Sequence, residues 1–243
     1  MSTVIINDIK YLIKNKNDLI ESTLLKGIQW NNEIVLIIGH FIKKYKLKHF
    51  VNVGSHIGTV VLPISKYIIK ATAIESFPPT FKHFIENMNL NKIKNIDTYN
   101  LALGDREDKV FFLNTENERI KNNLGGMHAV TEKDINEKKL SSDLHSKKFE
   151  NRMKKLDDLN IENFDIMLID VEGKEYEMLK GGSKKIRKNQ PIIIIEIWGN
   201  KKRKEENMST TREEIIEYIC SLDYRLINNI NDDFVFFPKK IKY

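Results

Sequence analysis

Several carboxylates stand where apolar runs stop. Asp170–Val171–Glu172–Gly173 follows the run Ile166–Met167–Leu168–Ile169, and Glu175 is close behind. An unbroken apolar run of this length reads as a strand buried on both faces, which puts these acids at its tip. A helix cap needs one acid; here there are three within six residues. Glu196 lies inside a second apolar stretch, Pro191–Ile197. A carboxylate there is costly to bury without a partner, which makes Glu196 a site candidate.

A second group of residues points to a nucleoside. Phe50–Val51–Asn52–Val53 runs into Gly54–Ser55–His56–Ile57–Gly58, and a new apolar pattern starts at Thr59. This is a strand, a glycine turn and a helix. Such a turn lets backbone approach a ligand, and a following helix N-terminus favours an anionic group. The next strand, Ala71–Ile74, ends on Glu75, at the distance where an acid accepts hydrogen bonds from ribose hydroxyls. The dinucleotide fingerprint places a second glycine where this chain has His56, which disfavours NAD and FAD. No triphosphate-binding G-x-x-x-x-G-K-[ST] is present. S-adenosylmethionine, with a ribose and an adenine but no pyrophosphate, fits.

The elements that position these residues alternate. Residues 1–47 read as an N-terminal helical extension, with Ile9, Leu12 and Ile13 on one face and a second helix from Asn32 to Tyr45 capped by Asn31 or Asn32. Trp30 and Glu33 come within reach of the ligand if this segment covers the pocket. Residues 48–243 read as one domain. Its strands are Lys48–Val53, Ala71–Ile74, Ile96–Leu101, Phe164–Asp170 and Pro191–Ile197, with a short one at Lys109–Leu113. Its helices are Thr59–Ile69, Thr80–Leu90, one from Tyr176 to Gly181–Gly182, and Ile215–Leu222 behind a Thr211–Glu214 capping box. Tyr224–Ile227 and Asp233–Phe237 form a terminal hairpin. The expected fold is α/β: a Rossmann-like, mostly parallel seven-stranded sheet with an antiparallel C-terminal hairpin and helices on both faces. Residues 114–148 are polar and aperiodic and read as a lid or insertion, with Gly125–Gly126–Met127–His128 at their middle.

Composition bounds the partners. The chain has 243 residues, 41% hydrophobic and 30% charged, which describes a globular protein with ample core. The single cysteine, Cys220, excludes an intramolecular disulfide and a cysteine-based zinc site. Neither a membrane span nor a signal peptide is visible, so a cytoplasmic location is expected. The net charge of +6 raises nucleic acid as a partner, but the lysines are interleaved with acids, which argues against it.

These residues resemble the FkbM family of S-adenosylmethionine-dependent methyltransferases. The resemblance rests on Val51–Gly58, Ala73–Ser76 with Pro79, Asn87–Leu90, Leu101–Gly104, Leu156–Leu159, Ile169–Glu175 with Leu179–Gly182, and Ile194–Glu196. It implies methyl transfer to a hydroxyl of a sugar, glycan or related small molecule. It also implies that Gly54, His56 and Gly58 line the methionine moiety, Glu75 holds the ribose, Asn100, Leu101 and Ala102 flank the adenine, and Asp170 lies beside the sulfonium. The family usually has aspartate at Asn52, next to the methionine ammonium, so weaker cofactor binding is expected there, and it usually has proline at Ser76, a minor change. A sugar hydroxyl is a poor nucleophile and needs a base: Asp170 or Glu172, with Glu196 orienting the acceptor and His128 in reserve. The same acids suit a divalent cation, which no residue pattern specifically supports. Two other readings stay open, an RNA-directed methyltransferase or RNA-binding subunit and a non-catalytic binding module on this fold.

Overall fold

The apolar runs make the centre of the molecule. In this computed structural model, which describes residues 2–112, 129–137, 149–161 and 163–241, β3 (His49–Val53), β10 (Ile166–Ile169) and β11 (Ile192–Glu196) lie side by side and parallel. Their alternate side chains feed two cores. Phe50, Ile166, Leu168, Ile192 and Ile194 face one; Val51, Val53, Met167, Ile169, Ile193 and Ile195 face the other. A strand with both faces covered has little room for polar alternation, which is why β10 is wholly apolar and β11 is apolar up to Glu196, while β3 admits only the buried His49 and Asn52.

β4 (Lys70–Glu75) and β5 (Ile96–Asn100) extend the sheet on one side, and the antiparallel pair β12 (Tyr224–Ile230) and β13 (Asp233–Pro238) completes it on the other. The order is β12-β13-β11-β10-β3-β4-β5. Chain direction across the sheet reverses between β3 and β10, and open α/β sheets collect ligands at the carboxyl ends of such a pair. On one face lie α1 (Leu19–Leu25), α2 (Asn32–Tyr45) and α4 (Pro78–Leu90). On the other lie α6 (Glu175–Gly181), α7 (Ser183–Asn189) and α9 (Arg212–Ser221). The Thr211–Glu214 capping box opens α9 as the sequence predicts.

Three local expectations are corrected. Residues 2–13 are not helical. They form the antiparallel hairpin β1 (Ser2–Ile6) and β2 (Ile9–Ile13). Asn7 and Asp8 both adopt positive φ, 49° and 61°, as a two-residue hairpin turn requires. Ile9, Tyr11 and Ile13 are then buried by strand period rather than helix period. Second, the helix expected over Thr59–Ile69 shrinks to α3 (Val61–Ile64). Pro63 has no N–H, and the chain beyond it tightens into i→i+3 bonds, Lys66 N–H to Pro63 O and Tyr67 N–H to Ile64 O. Third, Asn31 has left-handed φ and makes no side-chain cap on α2.

A second, four-stranded sheet was not foreseen. It runs β6-β9-β7-β8, from β6 (Ala102–Leu103), β7 (Asp108–Phe112), β8 (Ala129–Val130) and β9 (Phe149–Lys154). α5 (Glu132–Glu137) packs beside it, and α8 (Asn200–Glu205) follows β11. The Gly125–His128 stretch lies outside the described residues, as does much of the 114–148 segment. Among the described residues no helix is long and apolar enough to cross a membrane.

Candidate functional site

The chain turns at the end of β3 because Gly54 allows it. Gly54 has φ +83°, and a Cβ there would sit 1.7 Å from the Asp170 carbonyl oxygen. β3 and β10 therefore approach each other at their tips as closely as two backbones can. The loop is then fastened to β4: Gly54 N–H and Ser55 N–H both donate to Ile74 O, at 2.9 and 3.0 Å. His56, with φ 48°, donates its N–H to Glu75 Oε2 at 2.8 Å, and Phe77 N–H donates to Oε1 at 2.8 Å. Burial pushes the Glu75 carboxyl up to about 6 against these main-chain bonds. The carboxylate is thus fixed in place with lone pairs left for a ligand.

The β3–β10 tips open into a cavity of about 640 Å³, a size suited to a cofactor-sized ligand. Asn52, Gly54, Ser55, His56, Glu75 and Ser76 line one end, and Leu101, Ala102 and Leu103 supply an apolar wall. Asp170, Glu172 and Glu196 line another part. Three buried atoms of this wall lack a protein partner, Asn52 Nδ2, Ser55 Oγ and His56 Nδ1. Buried polar atoms are nearly always bonded, so these three suit polar groups of a ligand in the cavity, and the Asn52 amide and Ser55 hydroxyl can donate to an acceptor. A ligand with a carboxylate, a ribose and a flat apolar base fits this lining.

Two predicted positions sit elsewhere. Gly58 does not line the cavity. It has φ +92°, and a Cβ there would meet Phe84 and Leu62, so its glycine serves packing. The Asn100 side chain turns onto the main chain and donates to Glu75 O at 2.8 Å, joining the ends of β4 and β5. Of Trp30 and Glu33, Trp30 lines the cavity and Glu33 does not. His128 lies outside the described residues.

Asp170, Glu172 and Glu196 come together from the ends of two parallel strands. One carboxylate oxygen from each lies within 4.8 Å of the others. Glu196 Oε2 accepts from Trp198 Nε1–H at 2.9 Å, and Lys202 Nζ lies 3.4 Å from the centre of the Trp198 ring. Burial, then the charges of Glu196, Glu172, Asp233 and Glu175, hold the Asp170 carboxyl well above its ordinary range. Burial and Glu196 push Glu172 up to about 8. A carboxyl held near 8, as Glu172 is, has its proton affinity close to the working pH, the condition a general base requires.

Glu175 has a different task. It is 1% exposed, accepts from Gly173 N–H at 2.7 Å and pairs with Arg203 Nη1 at 3.1 Å. Arg203, 2% exposed, also donates to Thr210 O and Thr210 Oγ1, both at 2.7 Å. The pair fastens the acidic turn, where Glu172 and Gly173 have φ 51° and 92°, to the segment carrying Asn207, Met208 and Ser209 on the cavity wall. Sequence reasoning missed Arg203, which lies in a charged run that reads as solvated. It also missed Ser55 as a cavity donor and Lys174 and Tyr176 on the cavity wall.

Comparison with known proteins agrees with this geometry. The Methyltransferase FkbM domain matches residues 52–226. Methyltransferase FkbM from Methylobacillus flagellatus KT is similar in fold, with TM-score 0.52 and 15% identity over 79% of this chain. This chain spans only 43% of that one. A putative caffeoyl-CoA O-methyltransferase from Staphylococcus aureus gives TM-score 0.52 and 13% identity, covering 91% of this chain and 92% of that one. The O-methyltransferase from Bacillus cereus in complex with SAH gives 0.50 and 9%, covering 92% and 90%. At such identities these likenesses speak for the fold alone. No curated protein matches the sequence. With the domain match spanning most of the chain, from β3 into β12, the chain belongs to the FkbM methyltransferase domain family and has the fold of S-adenosylmethionine-dependent methyltransferases.

Proposed function

We propose that this protein transfers a methyl group from S-adenosylmethionine to a hydroxyl of a sugar, glycan or related small molecule. The observation that carries the reading is the placement of three crowded carboxylates at the tips of β10 and β11, in the same cavity as Glu75 and the glycine turn. When bound, the cofactor supplies an electrophilic methyl on a sulfonium. The chain's residues do the rest. Glu75 holds the ribose hydroxyls, and Leu101 and Ala102 flank the adenine. Gly54 and His56 border the methionine moiety, where Asn52 Nδ2 and Ser55 Oγ donate to its carboxylate. Asn52 offers no charge to the ammonium, and Ser76 contributes only cavity wall.

Asp170 or Glu172 would take the proton of the acceptor hydroxyl whose oxygen receives the methyl group. Glu196, held by Trp198, orients the acceptor. Alignment and exclusion of water supply most of the acceleration in such a displacement. If the three acids instead hold a divalent cation, a chelator abolishes the activity; the base reading expects no loss.

The test is transfer of labelled methyl from the cofactor to a panel of free sugars, glycans and RNA. Label in a sugar or glycan hydroxyl is expected. Label in RNA alone overturns the acceptor class, and cofactor binding without label in any acceptor favours a binding module.

A further inference from the structure

One buried side chain joins the N-terminal hairpin to the glycine loop. Asn87, on α4, is fully buried. Its Oδ1 accepts from Leu12 N–H in β2 at 2.8 Å, and its Nδ2 donates to Ile57 O at 3.0 Å. Both partners are main-chain groups, one a donor and one an acceptor, so the amide orientation is fixed. Leu12 O in turn accepts from His83 Nε2–H at 2.8 Å. Asn91, one turn along α4, exchanges two bonds with the Lys10 backbone, at 2.8 and 2.7 Å. The hairpin is therefore bonded by its main chain along α4, and residues 2–13 lie outside the matched stretch 52–226.

The loop between Gly54 and Gly58 is held from two sides. Glu75 fixes it through His56 N–H, and Asn87 fixes it through Ile57 O. His56 has left-handed φ, which a non-glycine residue keeps only under outside restraint. We infer that Asn87 is a positioning residue for the cofactor loop, itself oriented by the N-terminal hairpin through Leu12. The inference rests on the reading that this loop holds the cofactor. Loop geometry, and with it cofactor affinity, depends on a segment beyond the family domain.

Asn87→Asp separates the two bonds. The carboxylate still accepts from Leu12 N–H but faces Ile57 O with an acceptor, so the loop bond is lost. Calorimetric titration with S-adenosylmethionine compares wild type, Asn87→Asp and Ile219→Ala, a core truncation in α9 that reports general destabilisation. Asn87→Asp is expected to weaken binding by about tenfold or more. With an acceptor identified, KM for the cofactor rises in parallel and kcat changes by less than about threefold. Ile219→Ala is expected to stay within about twofold of wild-type affinity.

Amide exchange in the wild-type protein gives a second readout that needs no variant. Saturating cofactor is expected to slow exchange of the Leu12 amide. Wild-type affinity in folded Asn87→Asp overturns the inference, as does equal weakening in Ile219→Ala. If Asn87→Asp does not fold, unchanged Leu12 exchange overturns it. Absence of cofactor binding in the wild-type protein removes the cofactor reading itself, and this inference with it.

Discussion

Glu172 combines an unfavourable backbone angle with a crowded charge. Its φ is 51°, and burial with the Glu196 charge raises its carboxyl to about 8. An acid whose pKa rises on folding binds its proton more tightly folded than unfolded. Its stability contribution is complete below the unfolded value, about 4.3, and is lost as pH climbs through the folded one. Glu172→Gln removes that loss. Its Tm is expected to exceed wild type by several degrees at pH 9 and to match it near pH 4. Thermal scans at the two values check this, and an equal gain at pH 4 would show that the effect is not ionisation. For the same reason methyl transfer in wild type is expected to rise between pH 6 and 9, as Glu172 gives up its proton. Gly54 is constrained by space as well as by φ. Gly54→Ala places a methyl onto the Asp170 carbonyl and is expected to cost more than about 2 kcal/mol in urea unfolding.

At the scale of elements, the loop after β10 and the segment 199–211 act as one unit through Glu175 and Arg203. Removing one partner of a buried, hydrogen-bonded ion pair leaves an uncompensated charge. Arg203→Met is expected to lose about 3–5 kcal/mol, with Arg203→Met/Glu175→Gln recovering part of it. Chemical denaturation of the three proteins measures this, and a loss near zero would mean that the clamp is solvated. Elements were legible where an apolar run stopped on a chemically distinct residue. β3 ends at Gly54, β4 at Glu75, β10 at Asp170 and β11 at Glu196. The N-terminal hairpin was not legible, because Ile9, Leu12 and Ile13 satisfy helix spacing while Ile9, Tyr11 and Ile13 satisfy strand spacing. The deciding signal is Asn7–Asp8, two residues that tolerate left-handed φ. The Lys109–Leu113 strand was legible, but the smaller sheet escaped because β9 has no apolar run and the pairing is remote, Ala102 meeting Met153. Nothing near Asn87 in sequence announces its bonds to Leu12 and Ile57, 75 and 30 positions away.

At the scale of the molecule, both apolar faces of the sheet are covered, and chemistry is left to the strand tips. The switch between β3 and β10 puts Glu75 and the leucine wall in one cavity with Asp170, Glu172 and Glu196. The site was legible in its acids and glycine turn, because strand tips can be read from sequence. It was not legible in the residues that brace it, because Asn87, Arg203 and Asn100 act through contacts between remote segments. On the proposed function, this cavity takes S-adenosylmethionine by its ribose at Glu75. Calorimetric titration of wild type and Glu75→Ala with S-adenosylmethionine tests it most directly. Saturable binding is expected in wild type, with affinity reduced by about a hundredfold or more in a folded Glu75→Ala. Equal affinity in the two proteins, or no binding by wild type at millimolar ligand, would contradict it.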